Sequence, residues 1–172
     1  MKTMRIALCA GAALAFVAGA FAVSADQRPP ASLRASELPG TYELVDRVLD
    51  SGKILRRPDI AALYTFGNGH ANFNLFVRNA DGTLASESSI IRYTMSEEQY
   101  CEWTEYTTRN NLDAPSVTNE VPPVSSHCTP IKKADDKLIF APPGESVTTT
   151  YDRNGFTALI KDKFTDHWRK IG

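Results

Sequence analysis

Three histidines are the side chains of this 172-residue chain best suited to proton transfer near neutral pH. His70, His127 and His167 are far apart in the sequence, and no Gly-x-Ser-x-Gly elbow, Gly-rich phosphate loop or His-Glu-x-x-His motif accompanies them. They are expected at the surface or half-buried. The sequence therefore predicts no metal site and no cofactor.

The carboxylates leave the question of catalysis open. Acidic pairs at 97–98 and 135–136 would point to opposite faces of a strand, so neither pair suits an acid–base dyad, and both are predicted to lie in turns. Asp46 with Arg47, or Glu102 with Glu105, could place charge at a pocket. Exposed strand faces explain both pairs equally well.

The first 25 residues have the order of a cleavable secretory signal peptide. A basic start is followed by an apolar run over residues 6–21, and Val23-Ser24-Ala25 forms a small-x-small cleavage pattern. The run is shorter than the roughly 20 apolar residues of a spanning helix. Cleavage after Ala25 predicts a periplasmic or secreted bacterial protein with no stable membrane span, a flexible N-terminal arm over 26–37 and one domain over 38–172.

Export also changes how the cysteines and charges are interpreted. Cleavage removes Cys9 and leaves Cys101 and Cys128, an even count that predicts one disulfide in an exported chain. Free thiols or metal ligation are the alternatives, although neither cysteine has a further His or Cys at ligand spacing. Cleavage also removes Lys2 and Arg5, so the 19 Lys and Arg fall to 17 against 20 Asp and Glu. Because this slightly acidic chain has no dense basic cluster, nucleic acid is excluded as a partner.

Short apolar-alternating runs separated by turn residues predict an all-β domain. About eight to nine antiparallel strands would form an up-and-down β-barrel, which leaves no exposed sheet edge. The predicted strands cover residues 41–48, 61–66, 70–77, 88–95, 98–108, 137–140, 146–151, 155–161 and 163–171.

The aromatic spacing within 98–108 fits a helix, whereas Thr107-Thr108 and the lack of an apolar stripe favour the strand predicted here. Residues 109–123 are polar and contain three prolines, which predicts a long loop. Asn154-Gly155 predicts a hairpin, because both residue types tolerate positive φ.

Aromatic side chains are spread over the middle strands. They either fill the core or line a cavity for an apolar or aromatic ligand, since small eight-stranded barrels do one or the other. The residues predicted to bind such a ligand are Tyr64, Phe66, Phe73, Tyr93 and Trp103.

Several motifs resemble lipocalin-like domains of the calycin superfamily. Residues 40–45 (Gly-Thr-Tyr-Glu-Leu-Val) are similar to the first barrel strand of that family, residues 64–71 to an aromatic strand that turns through glycines, and residues 164–171 to the last strand. The resemblance implies that Tyr42 closes the barrel floor and that Arg169 packs over its ring, a structural cation–π contact.

The leading functional prediction is a barrel that binds a small hydrophobic or aromatic molecule. The alternative implied by the resemblance is a cofactor-independent isomerase or cyclase that uses the same cavity. Its acid or base would lie inside the barrel, and the candidates are His70, Asp46 and Tyr106. A third possibility is an envelope interaction protein that acts through the 109–123 loop or the outer surface.

Overall fold

The computed structural model describes residues 32–79, 81–112, 117–121 and 127–172. The predicted signal peptide and residues 26–31 lie outside these ranges. The described residues form one antiparallel sheet and a short 3₁₀ helix, Ala35–Glu37. No helix in these ranges has both the length and the apolar character needed to span a bilayer.

Thirteen strands make up the sheet. Their order is β7-β6-β5-β4-β3-β1-β13-β12-β11-β10-β9, with β2 paired to β1 and β8 paired to β6. The strands are β1 Gly40–Leu49, β2 Ile54–Leu55, β3 Ile60–Gly67, β4 His70–Arg78, β5 Leu84–Met95, β6 Gln99–Asn110, β7 Val117–Glu120, β8 His127–Pro130, β9 Lys132–Ala134, β10 Lys137–Phe140, β11 Val147–Tyr151, β12 Gly155–Ile160 and β13 Phe164–Lys170.

The all-β antiparallel architecture is confirmed. The nine predicted runs correspond to β1, β3 to β6 and β10 to β13, including the ambiguous run that forms β6. The four further strands are short, and one of them, β7, lies within the predicted 109–123 loop. Residues 113–116 and 122–126 of that loop are outside the described ranges. The closed barrel and the count of eight to nine strands remain predictions.

The inner face of the sheet carries the buried core, and alternation selects it. In β4, Ala71 and Leu75 are buried and Phe73 and Val77 pack against the core, as period-2 alternation predicts. Strands distant in the sheet order meet through this core. The ring centroids of Tyr100 on β6 and Phe140 on β10 are 4.8 Å apart, so the sheet curls around its inner face.

Two bulges reverse the alternation along long strands. In β1 the register shifts between Leu44 and Asp46, which turns Asp46 outward beside His167 and Arg47 inward beside Asp166. The β5–β6 pairing shifts between Ile90 and Ile91, because β6 contains one extra residue there. Each bulge therefore decides which side chains beyond it reach the interior.

Residues 127–134 contact both sides of the curled sheet. Their first half, β8, pairs with β6, and their second half, β9, pairs with β10. Between the two strands, the Ile131 N–H donates a hydrogen bond to the Glu98 carbonyl oxygen, 2.8 Å away. In the described residues the ladder of paired strands itself ends at β7 and β9.

The segment before β1 covers one end of the core. Leu33, Ala35 and Leu38 are buried, although residues up to 37 were expected in a flexible arm. The Tyr42 hydroxyl donates to the Leu38 carbonyl oxygen, 2.5 Å away. The first strand and the 3₁₀ helix are thus fixed to each other.

The predicted hairpin after β11 is present, but for a different reason. Neither Asn154 nor Gly155 has a positive φ. A Cβ atom on Gly155 would instead lie 1.9 Å from the Trp168 carbonyl oxygen. Glycine is required there because β12 and β13 approach closely.

Candidate functional site

Aromatic rings from nine strands fill much of the inner face. Tyr64 links them, with centroid distances of 4.2 Å to Phe66, 5.5 Å to Phe73 and 6.4 Å to Trp168. The inward aromatic side chains in contact are Tyr42, Tyr64, Phe66, Phe73, Tyr93, Tyr100, Phe140, Tyr151, Phe156 and Trp168. Such a surface suits an apolar or aromatic guest.

A carboxyl group lies among these rings. Glu102 on β6 is only 7% exposed, and its Oε2 accepts a hydrogen bond from the Tyr100 hydroxyl at 2.5 Å. Burial raises the pKa of Glu102 to about 7, against the opposing effect of Tyr100, and nearby Glu145 raises it further. Within the described residues, Glu102 has no ion-pair partner.

The tyrosines around Glu102 remain neutral over the physiological range. Burial is the main cause that raises the pKa of Tyr64, Tyr100 and Tyr151, and the Glu102 carboxylate raises each further. Their hydroxyl groups therefore act as hydrogen-bonding groups and not as anions.

Trp168 contributes an unpartnered donor to the same face. The side chain is 7% exposed, and its Nε1 has no hydrogen-bond partner among the described residues. Its ring stacks on Phe156 at 5.1 Å and contacts Tyr64 and Phe73. A buried N–H without an acceptor costs about 1–3 kcal/mol, so this atom is a natural contact point for a ligand acceptor.

Some inner side chains are surrounded by protein and yet keep accessible surface. Tyr64 is half-buried by area, although its raised pKa reports strong desolvation of the hydroxyl. Phe73, its neighbour on β4, is also half-buried. Both side chains therefore keep part of their surface accessible within the aromatic cluster.

Two ion pairs extend the inner face beyond the aromatic cluster. Arg47 donates to both carboxylate oxygens of Asp166, at 2.6 and 2.8 Å, and its guanidinium lies 3.6 Å from the Phe164 ring centroid. Burial raises the pKa of Asp166 although Arg47 opposes this effect. Arg109 Nε lies 3.3 Å from Glu87 Oε2. The inward arginines are thus bound to carboxylates.

An external groove of about 350 Å³ lies where β8 and the loop before β11 face each other. It is lined by His127, Cys128, Thr129, Ala141, Pro142, Pro143, Gly144 and Glu145. Glu145 is exposed on this groove, while burial and then Glu87 raise its pKa.

Four of the five predicted ligand-binding aromatic residues, Tyr64, Phe66, Phe73 and Tyr93, share the inner face. Trp103 instead faces outward, where the Arg92 guanidinium lies 5.6 Å from its ring centroid. The predicted Cys101–Cys128 disulfide is confirmed and joins β6 to β8.

The three predicted catalytic residues lie on the outer face. His70 is exposed, and the Tyr106 hydroxyl donates to Asn119 Oδ1 at 2.9 Å. Asp46 contacts His167 Nδ1 at 2.7 Å and Arg56, and these two groups lower its pKa although burial opposes them. The interior acid is Glu102, whose signal in the sequence was its alternation with Tyr100.

The cation over Tyr42 is Lys170 and not Arg169, which corrects the predicted pair by one residue. Tyr42 pairs with Lys170 in the ladder, and Lys170 Nζ lies 5.7 Å from the ring centroid. Arg169 points to the other face and binds Glu43 at 3.1 Å. Neighbouring strand residues alternate faces, so both positions cannot cover the ring.

In the described part of the chain, no three His, Cys, Asp or Glu side chains are grouped so that they could hold a metal ion. No protein-family model matches the chain, and no curated protein matches it. A crystal structure of a lipocalin-like protein from Bacteroides uniformis is similar, at 12% identity and a TM-score of 0.30, covering 78% of this chain and 99% of that chain. The two chains superpose loosely.

Proposed function

We propose that the inner face of the sheet binds a small hydrophobic or aromatic molecule. The observation that carries this proposal is the unpartnered, buried Nε1 of Trp168, which lies beside half-buried Tyr64 and Phe73. Aromatic walls with a few polar groups are the usual composition of a small-molecule site. Ligand binding would satisfy a donor that the protein alone leaves without an acceptor.

The proposed binding site requires the sheet to act as a barrel. Residues 127–134 support closure, since this continuous segment pairs with β6 and then with β10. The groove between β8 and residues 141–145 would then be a lateral opening. Glu145 lies at this opening and acts electrostatically on Glu102 farther inside.

Two single-tryptophan variants test the binding site. In Trp103→Phe only inward Trp168 remains, and in Trp168→Phe only outward Trp103 remains. The probe is 1-bromonaphthalene, an uncharged aromatic whose bromine quenches tryptophan emission near contact. We expect saturable quenching in Trp103→Phe and little in Trp168→Phe, with circular dichroism as the check on folding. Equal quenching of both variants, or none, would overturn the proposal.

We also propose that the protein is exported after cleavage following Ala25. The Cys101–Cys128 disulfide is consistent with an extracellular protein, and the N-terminal pattern supports a signal peptide. Mass spectrometry of protein from the periplasmic or culture fraction should find a chain that starts at Asp26. Recovery of only the uncleaved chain in the cytoplasm would contradict export.

An enzyme in the same interior is the second candidate, favoured by the buried carboxyl of Glu102 with a pKa of about 7. Such a group can move protons near neutral pH. The test is deuterium incorporation next to the carbonyl of β-tetralone in D₂O, followed by NMR. An enzyme would exchange faster than buffer and lose this rate in Glu102→Gln. Equal exchange rates for the wild type and for buffer would contradict the enzyme hypothesis and would leave the binding function as the remaining proposal.

A further inference from the structure

The unpaired carboxyl of Glu102 indicates the sign of the charge that the ligand carries. The aromatic walls alone do not determine this charge. The inward arginines are engaged elsewhere, Arg47 with Asp166 and Arg109 with Glu87. One carboxylate oxygen of Glu102 accepts a hydrogen bond from the Tyr100 hydroxyl, and the other oxygen has no hydrogen bond to the described residues. A buried carboxylate without a cation is unfavourable, and a positive ligand group would compensate it.

The rings around Glu102 favour the same kind of group. Tyr93 is its partner across the β5–β6 ladder, and Tyr100 connects Tyr93 to Phe140 through ring contacts. The Glu102 carboxylate also acts on the hydroxyls of Tyr64 and Tyr151. Aromatic faces attract cations, by about 2 kcal/mol when the cation is desolvated. An anionic ligand would meet the Glu102 carboxylate here, whereas the inward arginines Arg47 and Arg109 already lie beside the carboxylates of Asp166 and Glu87.

We propose that the interior site selects an organic cation: an ammonium group seated between Glu102 and the surrounding tyrosines, on an aromatic or apolar body that carries an acceptor for Trp168 Nε1. This selectivity rests on the proposed binding function. Glu145, which lines the external groove, acts electrostatically on Glu102 and adds negative charge near the proposed site. The ligand class is therefore an aromatic or apolar amine, in contrast to a fatty acid.

The test compares two probes of equal shape. Phenyltrimethylammonium is a permanent cation, and tert-butylbenzene is its neutral isostere. Their affinities are measured by displacement of 1-bromonaphthalene from the Trp103→Phe protein and by calorimetry for the cation. We expect the cation to bind about tenfold or more tightly than the isostere, and Glu102→Gln to abolish this preference. Glu105→Gln, an outward carboxyl on the same strand, is the matched control and should keep it.

The pH dependence is a second readout, since the charge of the probe is fixed. The affinity for phenyltrimethylammonium should rise from pH 6 to pH 8 as Glu102 ionises, and Glu102→Gln should flatten this rise. His127 lies opposite Glu102 in the ladder, so His127→Gln serves as a further variant that should retain the rise. The other titratable groups toward Glu102 are Tyr64, Tyr93, Tyr100, Glu145 and Tyr151.

The outcomes separate the two proposals. Equal affinity for both probes in wild type and Glu102→Gln overturns cation selectivity and leaves the hydrophobic site intact. Failure of the cation and of 1-bromonaphthalene to bind overturns both. If Glu102→Gln binds the cation as tightly as the wild type does, other residues recognise the cation. This result also overturns the inference.

Discussion

Glu102 is an acid whose neutral form is favoured by the fold. Its pKa rises from 4.5 to about 7, chiefly through burial. A carboxyl with a raised folded-state pKa contributes stability that is complete below the unfolded pKa and is lost as the pH rises through the folded pKa. Wild-type stability should therefore decline between about pH 4.5 and pH 7 because of this one residue.

Glu102→Gln should remove this decline, since the amide stays neutral and can still accept from Tyr100. Relative to the wild type, its free energy of unfolding should increase by about 2–3 kcal/mol between pH 5 and pH 8. Urea unfolding at both pH values measures the change. Exposed Glu98→Gln is the control and should follow the wild type. Parallel pH curves for Glu102→Gln and the wild type would contradict the buried-acid interpretation.

At the scale of elements, the inward Arg47–Asp166 pair joins β1 to β13. The side chains are 14% and 6% exposed, so removal of one partner leaves a buried charge. The outward Arg169–Glu43 pair joins the same two strands, and Arg169 is 65% exposed. The stability contributions of a buried and a solvent-exposed ion pair can therefore be compared between the same two strands.

Arg47→Met should lower the free energy of unfolding by about 3–5 kcal/mol, whereas the double variant Arg47→Met, Asp166→Leu should recover most of this loss. Arg169→Met should cost less than about 1 kcal/mol. Chemical denaturation of the three proteins measures these differences. If the double variant is as unstable as Arg47→Met, the buried charge is not the cause.

The short strand β8 depends on the disulfide. It has four residues, three of them exposed, and it pairs with β6. Replacement of Cys101 and Cys128 by serine should speed amide exchange in residues 127–130 at least tenfold and lower the unfolding free energy by about 3 kcal/mol. Exchange in β4 should change much less when followed by mass spectrometry. Unchanged protection of residues 127–130 would show that strand pairing alone holds β8.

At the scale of the whole molecule, the segment before β1 completes the core. Leu33 is 2% exposed, and the Leu38 carbonyl oxygen accepts a hydrogen bond from the Tyr42 hydroxyl. Leu33→Ala should therefore lower the free energy of unfolding by about 2–4 kcal/mol. Thermal unfolding compares it with Ser36→Ala, an exposed position in the same segment. Equal melting temperatures would mean that this segment does not contribute to the core.

The sequence by itself determined the elements that local chemistry specifies. Period-2 alternation marked nine of the strands, and the cysteine count predicted the disulfide. The sequence also indicated Tyr64, Phe66, Phe73 and Tyr93 as candidate ligand-binding residues, and the structure places them on one face. The short strands β2, β7, β8 and β9 were not predicted, since such brief segments take their conformation from the partners that they meet.

Only the tertiary structure decided which polar groups enter the interior. A one-residue shift turns every later side chain to the opposite face. The β1 bulge therefore sends Asp46 out and Arg47 in, and the ladder register sets Lys170 over Tyr42 in place of Arg169. The curl of the sheet then brings Tyr100 against Phe140 and buries Glu102 among tyrosines. These contacts join residues distant in the chain, and no local pattern encodes them.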